Sequence, residues 1–268
     1  EENEIINKYF YELKKEELLK LLPRRSWGAI LARGERRRLS RNRSSPRLKV
    51  NENYFKKWSH KMAYILGFIL ADGCIVKPKR PGHSDVLKFG VHVKDVDILE
   101  KIKREFESDH KISKLNRAAH LAIVSQILVD DLKNLGITYR KSLSENIPAL
   151  PKVFMPDFIR GIVDGDGGIR IDKKGYPNLM ICGGERVMRF IQRHFLRRFD
   201  IYSKVSKRTA NKNGAFLCDI AYKCNSAKVL LKYLYDGAEL YLDRKFDIAK
   251  ECLDIDIGFK KNYTNREL

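Results

Sequence analysis

Apolar and polar positions follow the same succession of periods twice beyond residue 60. Each copy predicts a helix, two strands, a second helix, two more strands and a closing helix. In Val86–Lys94 the residues alternate between an apolar side and a basic side, namely Leu87, Phe89, Val91 and Val93 against Lys88, His92 and Lys94. The pattern therefore predicts an α+β fold of two αββαββα halves, whose antiparallel sheets turn one face to the core and one to a partner.

The clearest repeat is an apolar segment that ends in Asp-Gly, found as Ile65–Gly73 and again as Ile159–Gly167. Each copy carries small residues one helical turn apart, which would let two helix backbones approach closely. These pairs are Gly67 with Ala71, and Gly161 with Gly165. We expect Gly73 and Gly167 to end the two helices in the left-handed conformation that favours glycine.

Asp72 and Asp166 stand at the predicted C-termini of these helices. The unpaired carbonyls of a helix C-terminus repel a carboxylate, so a positive group is expected to offset them. If the two ends meet, their carboxylates and carbonyls form an all-oxygen cluster of the kind that Mg²⁺ requires. One Asp-Gly after an apolar run would indicate only a capped core helix, but two at matching positions favour a shared site.

Residues 1–50 differ in character from the rest and predict a separate basic helical module, with a linker at its end. Pro23 interrupts a helical pattern, and Ser26 is placed to cap a new helix that begins at Trp27. The segment Leu22–Ile30 resembles Myb-like helix-turn-helix modules; the alternative is a basic arm that only contacts phosphates. The candidate DNA contacts of this module are Arg24, Arg25, Arg33, Arg36 and Arg37.

The charge of the chain favours a polyanionic partner. Its 54 Lys and Arg exceed its 34 Asp and Glu, for a net charge of +20, whereas a salt-bridged, thermophile-like surface would be balanced. Membrane lipid is the weaker alternative, because the longest apolar stretch, Met62–Ala71, is too short to cross a bilayer. A hydrophobic content of 43 % excludes a disordered chain.

Cysteine usage and the N-terminal pattern bear on location. The five cysteines are scattered and show no CxxC spacing, so neither a disulfide framework nor a zinc site is indicated. The first residues also lack the succession of a signal peptide. We therefore expect an intracellular protein, in the cytoplasm or an organelle matrix, that is not secreted.

On its doubled motif and matching downstream layout, the chain resembles the LAGLIDADG homing endonucleases in their single-chain form. The resemblance covers about residues 60–255 and implies two pseudo-symmetric halves, 51–150 and 151–268, with saddle-shaped sheets over DNA. It further implies a division of roles among the motif residues. Asp72 and Asp166 would be the catalytic metal-binding acids, Ala71 and Gly165 would add carbonyl ligands, and Gly67 and Gly161 would form the helix interface.

The cofactor implied by the resemblance is Mg²⁺, with Ca²⁺ or Mn²⁺ as substitutes in crystals. The family also places a Gln or Lys after the second strand, a place that Lys94 occupies as a further catalytic candidate. Aligning Lys94–Phe106 with Gly183–Phe195 puts Gly183 at the matching place of the second half. Either the half-sites differ in chemistry, or Lys141 or Lys245 supplies the cation.

DNA contacts are expected from the outward positions of both sheets. The candidates are Lys77, Lys79, Arg80, Lys88, His92 and Arg117 in the first half, and Arg170, Lys173, Lys204, Lys207, Arg208 and Lys223 in the second. The differences between the two halves suggest a long, asymmetric target. We expect a monomer that cuts both strands of such a DNA site.

Two alternatives on the same fold stay open. One is an RNA maturase that binds intron RNA and assists splicing, which the positive charge would serve equally well. The other is a non-catalytic DNA-binding regulator, which would be expected to have lost one motif acid. Because Asp72 and Asp166 are both present, we favour an endonuclease encoded in a mobile intron.

Overall fold

The computed structural model of the chain divides into two units, Glu1–Arg47 and Leu48–Leu268. It describes residues 2–10, 13, 15–36, 48–78, 84–139, 146–210 and 216–257. Lys79, Arg80, Arg37 and Lys141, all named above as candidates, lie outside these ranges. None of the helices within them is long and apolar enough to cross a membrane.

The described part of the first unit consists of helices α1 (Glu2–Tyr9), α2 (Lys15–Leu21) and α3 (Trp27–Arg36). These helices enclose a core of their own, made by Ile6, Phe10, Leu22 and Ile30. The hydroxyl of Ser26 accepts a hydrogen bond from the backbone N–H of Ala29 at 3.3 Å, so Ser26 caps α3 as the sequence predicts.

The second unit begins with one αββαββα half. Its elements are α4 (His60–Asp72), β1 (Gly73–Val76), β2 (Val86–His92), α5 (Val96–Glu105), β3 (Ile112–Leu115), β4 (Ala118–Val124) and α6 (Gln126–Asn134). The strands form one antiparallel sheet in the order β1-β2-β4-β3. Leu87 and Phe89 are fully buried while His92 is exposed, as the alternation along β2 predicts.

The second half repeats this order. Its elements are α7 (Met155–Asp166), β5 (Gly167–Ile171), β6 (Pro177–Gly184), α8 (Glu185–Phe199), β7 (Ser206–Ala210), β8 (Phe216–Lys223) and α9 (Cys224–Tyr235), followed by α10 (Asp243–Asp254). The sheet is again antiparallel, in the order β5-β6-β8-β7. The predicted α+β class with two αββαββα halves is therefore confirmed. Both halves share one continuous hydrophobic core.

Helices α4 and α7 run parallel through this core and touch backbone to backbone. A Cβ atom at Gly67 would lie 1.9 Å from the carbonyl oxygen of Phe158, and one at Gly161 would lie 2.1 Å from that of Tyr64. At the N-terminal ends of the pair, His60 Nδ1 lies 2.7 Å from Asp157 Oδ2. The contact therefore has no room for a side chain at either glycine.

The prediction that Gly73 and Gly167 adopt the left-handed conformation is wrong. Both residues are extended, with φ of −93° and −94°, because each leads directly into the first strand of its sheet. Their lack of a side chain is explained by space instead. A Cβ at Gly73 would lie 2.7 Å from the Cα of Ile69, and one at Gly167 would lie 2.6 Å from the carbonyl oxygen of Val163.

We predict that Gly67→Ala and Gly161→Ala each lower the free energy of unfolding by about 1–3 kcal/mol. The added methyl group overlaps the opposite helix backbone, which outweighs the higher intrinsic helix propensity of alanine. Urea denaturation measures the change. Gly168→Ala is the control, because nothing lies within 4 Å of its Cβ position. If all three variants unfold at the same urea concentration, the backbone contact is not as close as described.

Candidate active site

The C-terminal ends of α4 and α7 lie side by side. A Cβ at Gly165 would lie 2.2 Å from the Cβ of Ala71 and 3.4 Å from Oδ2 of Asp72. Because Gly165 has no side chain, the end of α4 and its Asp72 carboxylate can lie next to this position. Asp72 is half-buried and Asp166 is exposed. The structure brings the motif acids to adjoining helix ends at one edge of the core.

Lys245, at the start of α10, neutralises the end of α7. Its side chain is buried, and its ammonium group donates to the carbonyl oxygens of Val163 and Asp164 at 2.7 Å and of Gly167 at 2.8 Å. Burial lowers the pKa of Lys245 to about 8, against the opposing attraction of Asp164 and, more weakly, Asp72. The three donors of the ammonium group are all used, so Lys245 provides the positive group expected at this helix C-terminus.

Asp164 joins both motif helices to the last part of the second half. Its carboxylate accepts hydrogen bonds from the hydroxyl of Tyr64 at 2.8 Å, the hydroxyl of Tyr235 at 2.6 Å and the backbone N–H of Leu242 at 2.8 Å. Burial raises the pKa of Asp164, and these donors oppose that effect. The side chain is nearly inaccessible, with 1 % of the residue exposed. Asp164 therefore makes a structural polar contact near the helix end.

An open pocket of about 490 Å³ lies beside Asp72. Its polar lining consists of Asp72, His92, Asp95, Arg117, His120, Asp164 and Arg244. The guanidinium of Arg244 donates two hydrogen bonds to Asp95, at 2.6 and 2.8 Å, and so ties α10 to the first half. The pocket therefore combines a motif acid with groups from β2, β4 and the opposite half.

The predicted equivalence of Lys94 and Gly183 does not hold for the strands. Phe89 pairs with Gly73 in the first sheet, and Ile181 pairs with Gly167 in the second, so the strand register matches Val91 with Gly183. The reason is a short 3₁₀ helix, Val93–Asp95, which precedes α5, whereas β6 leads directly into α8. Lys94 is exposed within this turn, beyond the end of β2, and is not among the residues that line the pocket.

Of the first-half candidates for DNA contact, Lys88 and His92 occupy outward positions of β2. Arg117 is exposed in the turn before β4, and Lys77 follows β1, where its ammonium lies 4.6 Å from the ring centre of Tyr139. Lys77 and Arg117 lie in connections and not on the sheet face as expected, because β1 ends at Val76 and β4 begins at Ala118.

Of the second-half candidates, Arg170 and Lys223 lie at outward strand positions, and Arg208 donates to Asp219 at 2.9 Å. Lys207 forms an ion pair with Glu185 at 2.9 Å. Two further candidates, Lys173 and Lys204, are exposed in the connections next to β5 and β7. The second half thus carries cations around this sheet, although two of them, Arg208 and Lys207, are paired with acids.

In the first unit, two candidate arginines are engaged by α1. Arg25 donates to Glu2 at 2.9 Å, and Arg33 donates to the side chain of Asn3 at 2.8 Å. Arg24 is exposed in the connection between α2 and α3, and Arg36 is exposed at the end of α3. Arg25 and Arg33 therefore help to hold these helices together, a role that the charge pattern alone did not indicate.

The donor chemistry at the two helix ends fits a hard divalent cation. Asp72, Asp166 and the carbonyls of Ala71 and Gly165 offer only oxygen, the ligand type of Mg²⁺. Within the described residues no three His, Cys, Asp or Glu side chains converge as a metal site. A cation here would therefore take further oxygens from the backbone, water or a phosphate.

Sequence reasoning missed the pocket residues His120 and Arg244 and the tyrosines that bind Asp164. His120 lies on β4 opposite Gly90. No local signal identifies it, because its neighbours depend on which strands pair. Arg244 directly precedes Lys245 as Arg140 precedes Lys141, and this repeated Arg-Lys pair is a sequence signal for Arg244.

Comparisons with known proteins show similarity to solved structures of the same fold. No family model matches the sequence, and a search of curated proteins finds no match. Among solved structures, the LAGLIDADG meganuclease I-CpaMI bound to uncleaved DNA is similar, with 13 % identity, a TM-score of 0.52 and coverage of 74 % of this chain and 92 % of that chain. The I-SmaMI LAGLIDADG homing endonuclease bound to cleaved DNA has 15 % identity, a TM-score of 0.51 and coverage of 73 % and 88 %.

These similarities and the paired motif helices define the fold as that of the LAGLIDADG homing endonucleases. More specifically, it is the two-domain form, in which one chain carries both halves and both motif helices. The resemblance seen in the sequence is confirmed at this level.

We predict that Lys245→Met lowers stability and changes its dependence on pH. The variant removes the ammonium donor from the carbonyls of Val163, Asp164 and Gly167, of which Val163 keeps the backbone N–H of Gly167. Because the pKa of Lys245 is lowered to about 8, the unfolded state binds more protons above that pH. The free energy of unfolding of the parent, minus that of Lys245→Met, should therefore rise from pH 8 towards 10. The rise is at most about 1.4 kcal/mol per pH unit.

Urea denaturation of both proteins at several pH values measures this difference, in which the titration of all other groups cancels. A difference that stays constant over this range would mean that Lys245 is not a buried, titrating cation.

Proposed function

We propose that this chain is a site-specific endonuclease that hydrolyses phosphodiesters in both strands of double-stranded DNA with a divalent metal. The observation that carries the proposal is the parallel contact of α4 and α7, which places two acids and two carbonyls at adjoining helix ends. Cations on the outward faces of both sheets support it, because they offer a partner for the phosphate backbone. The DNA-bound structures of similar fold support it as well.

Asp72 and Asp166, with the carbonyls of Ala71 and Gly165, would hold Mg²⁺. When bound, the metal supplies charge neutralisation at the phosphate and lowers the pKa of a coordinated water. Lys245 keeps the carbonyls at the end of α7 compensated, so that this end tolerates Asp166. Arg117 and His92 line the pocket beside Asp72 and would orient a phosphate there.

The remaining cations would fix the register of the DNA. On this proposal Lys88, Arg170, Arg208 and Lys223 contact DNA from the sheet faces, and Lys94 contacts a phosphate from the turn after β2. The differences between the halves favour a long, asymmetric target. A monomer suffices for such a target, because one chain carries both halves.

We predict that Asp72→Asn and Asp166→Asn each abolish double-strand cutting while largely retaining DNA binding. Each substitution preserves size but removes one anionic oxygen from the cation site. The assay is cleavage, with Mg²⁺, of plasmids that carry a target selected from a randomised library or the intron-insertion site. Asp236→Asn is the matched control, because Asp236 is an exposed residue that follows α9.

Efficient cutting by either motif variant would contradict the assigned mechanism. Binding of structured RNA without any cutting of DNA would instead favour the maturase, and specific DNA binding without cutting would favour the regulator.

We further predict that removal of residues 1–47 weakens DNA affinity and reduces its dependence on salt, because fewer cations then displace counterions. The removed segment is a unit with its own core, so the chemistry of the second unit should persist. Binding isotherms over a salt series measure the slope. An unchanged slope would show that the first unit makes no phosphate contacts.

A further inference from the structure

His120 lies in the pocket beside Asp72 in an unusual environment. It occupies an outward position of β4 and pairs with Gly90 on β2. Next to Gly90, Phe89 pairs with Gly73, the residue that follows Asp72. Asp72, Gly90 and His120 all line the same pocket, and the glycine adds no side chain to that lining.

The imidazole of His120 leans across this glycine. A Cβ at Gly90 would lie 3.0 Å from Nδ1 and 3.2 Å from Cε1 of His120. A larger residue at position 90 would therefore displace the ring. The absence of a side chain at this point admits the ring.

The two ring nitrogens differ in their surroundings. Nδ1 of His120 is buried and has no hydrogen-bond partner among the residues that the structure describes. A proton on Nδ1 would be a buried donor without an acceptor among the described residues, so we assign the proton of the neutral ring to Nε2. Nε2–H is then the donor that remains for a ligand in the pocket.

The equivalent strand positions of the second half have different side chains. There Cys182 pairs with Asp219 on β8, in the register that pairs Gly90 with His120. The Asp219 carboxylate accepts from Arg208 at 2.9 Å. The second half thus has a carboxylate and its ion-pair partner where the first half has the imidazole of His120.

We propose that His120 is a catalytic residue of the first half, whose Nε2–H donates to a non-bridging oxygen of the phosphate that is cut beside Asp72. This inference rests on the proposed endonuclease function and assigns the donor to only one of the two strand-cutting sites. Such a donor stabilises the charge that develops on the phosphate and takes no part in bond making or breaking.

The test compares His120→Leu with His120→Gln. The amide nitrogen of Gln reaches a place close to that of Nε2 and still donates, whereas Leu fills similar space without a donor. Single-turnover rates are measured separately for the two labelled strands of a selected target, with Mg²⁺. We expect His120→Leu to slow cutting of the strand beside Asp72 about 100-fold, and His120→Gln to slow it less than about 10-fold.

The other strand is the internal control and should change little in both variants, so that nicked DNA accumulates with His120→Leu. Ser113→Ala is the matched control on the same sheet face, because Ser113 pairs with His120 on the side away from Gly90. Thermal unfolding of each variant reports whether the fold is intact.

Equal slowing of both strands, no slowing at all, or equal rates for Leu and Gln would overturn the role of His120 while leaving the endonuclease in place. If the parent protein cuts no DNA, or if Asp72→Asn still cuts, the proposed function itself fails and the role of His120 fails with it.

Discussion

The contact between α4 and α7 is the constraint on which the rest of the second unit depends. Gly67 and Gly161 let carbonyl oxygens of the opposite helix occupy the volume that a Cβ would take. The helices are parallel, so their C-terminal ends meet at one place, and each leads directly into the first strand of its sheet. One close contact thus determines both the position of the acids and the origin of the two sheets.

Two adjoining helix C-termini bring partial negative charges close together, and groups of the second half compensate them. Lys245 donates to three carbonyls at the end of α7, and Asp164 is held by two tyrosine hydroxyls and a backbone N–H. The neighbouring Arg244 reaches across to Asp95 in the first half. The segment around the start of α10 therefore both neutralises the candidate active site and links the halves.

The two halves share a topology but differ where chemistry would occur. The 3₁₀ turn Val93–Asp95 has no counterpart before α8, and the strand register places His120 where the second half has Asp219. A carboxylate paired with Arg208 and the imidazole of His120 present different groups to a phosphate. This asymmetry agrees with a single chain, in which each half is free to diverge.

The two halves, the motif helices and the buried side of β2 could be predicted from the sequence, because apolar periodicity and Asp-Gly endings are local properties of the chain. The sequence also indicated Lys245, beside Lys141, as a candidate for the cation of the second half. The tertiary structure was needed to show that Lys94 lies beyond its strand, that Gly73 and Gly167 are extended, and that His120 and Asp72 line one pocket with Gly90. These facts depend on inter-strand register and on the space between helices, which no local pattern encodes.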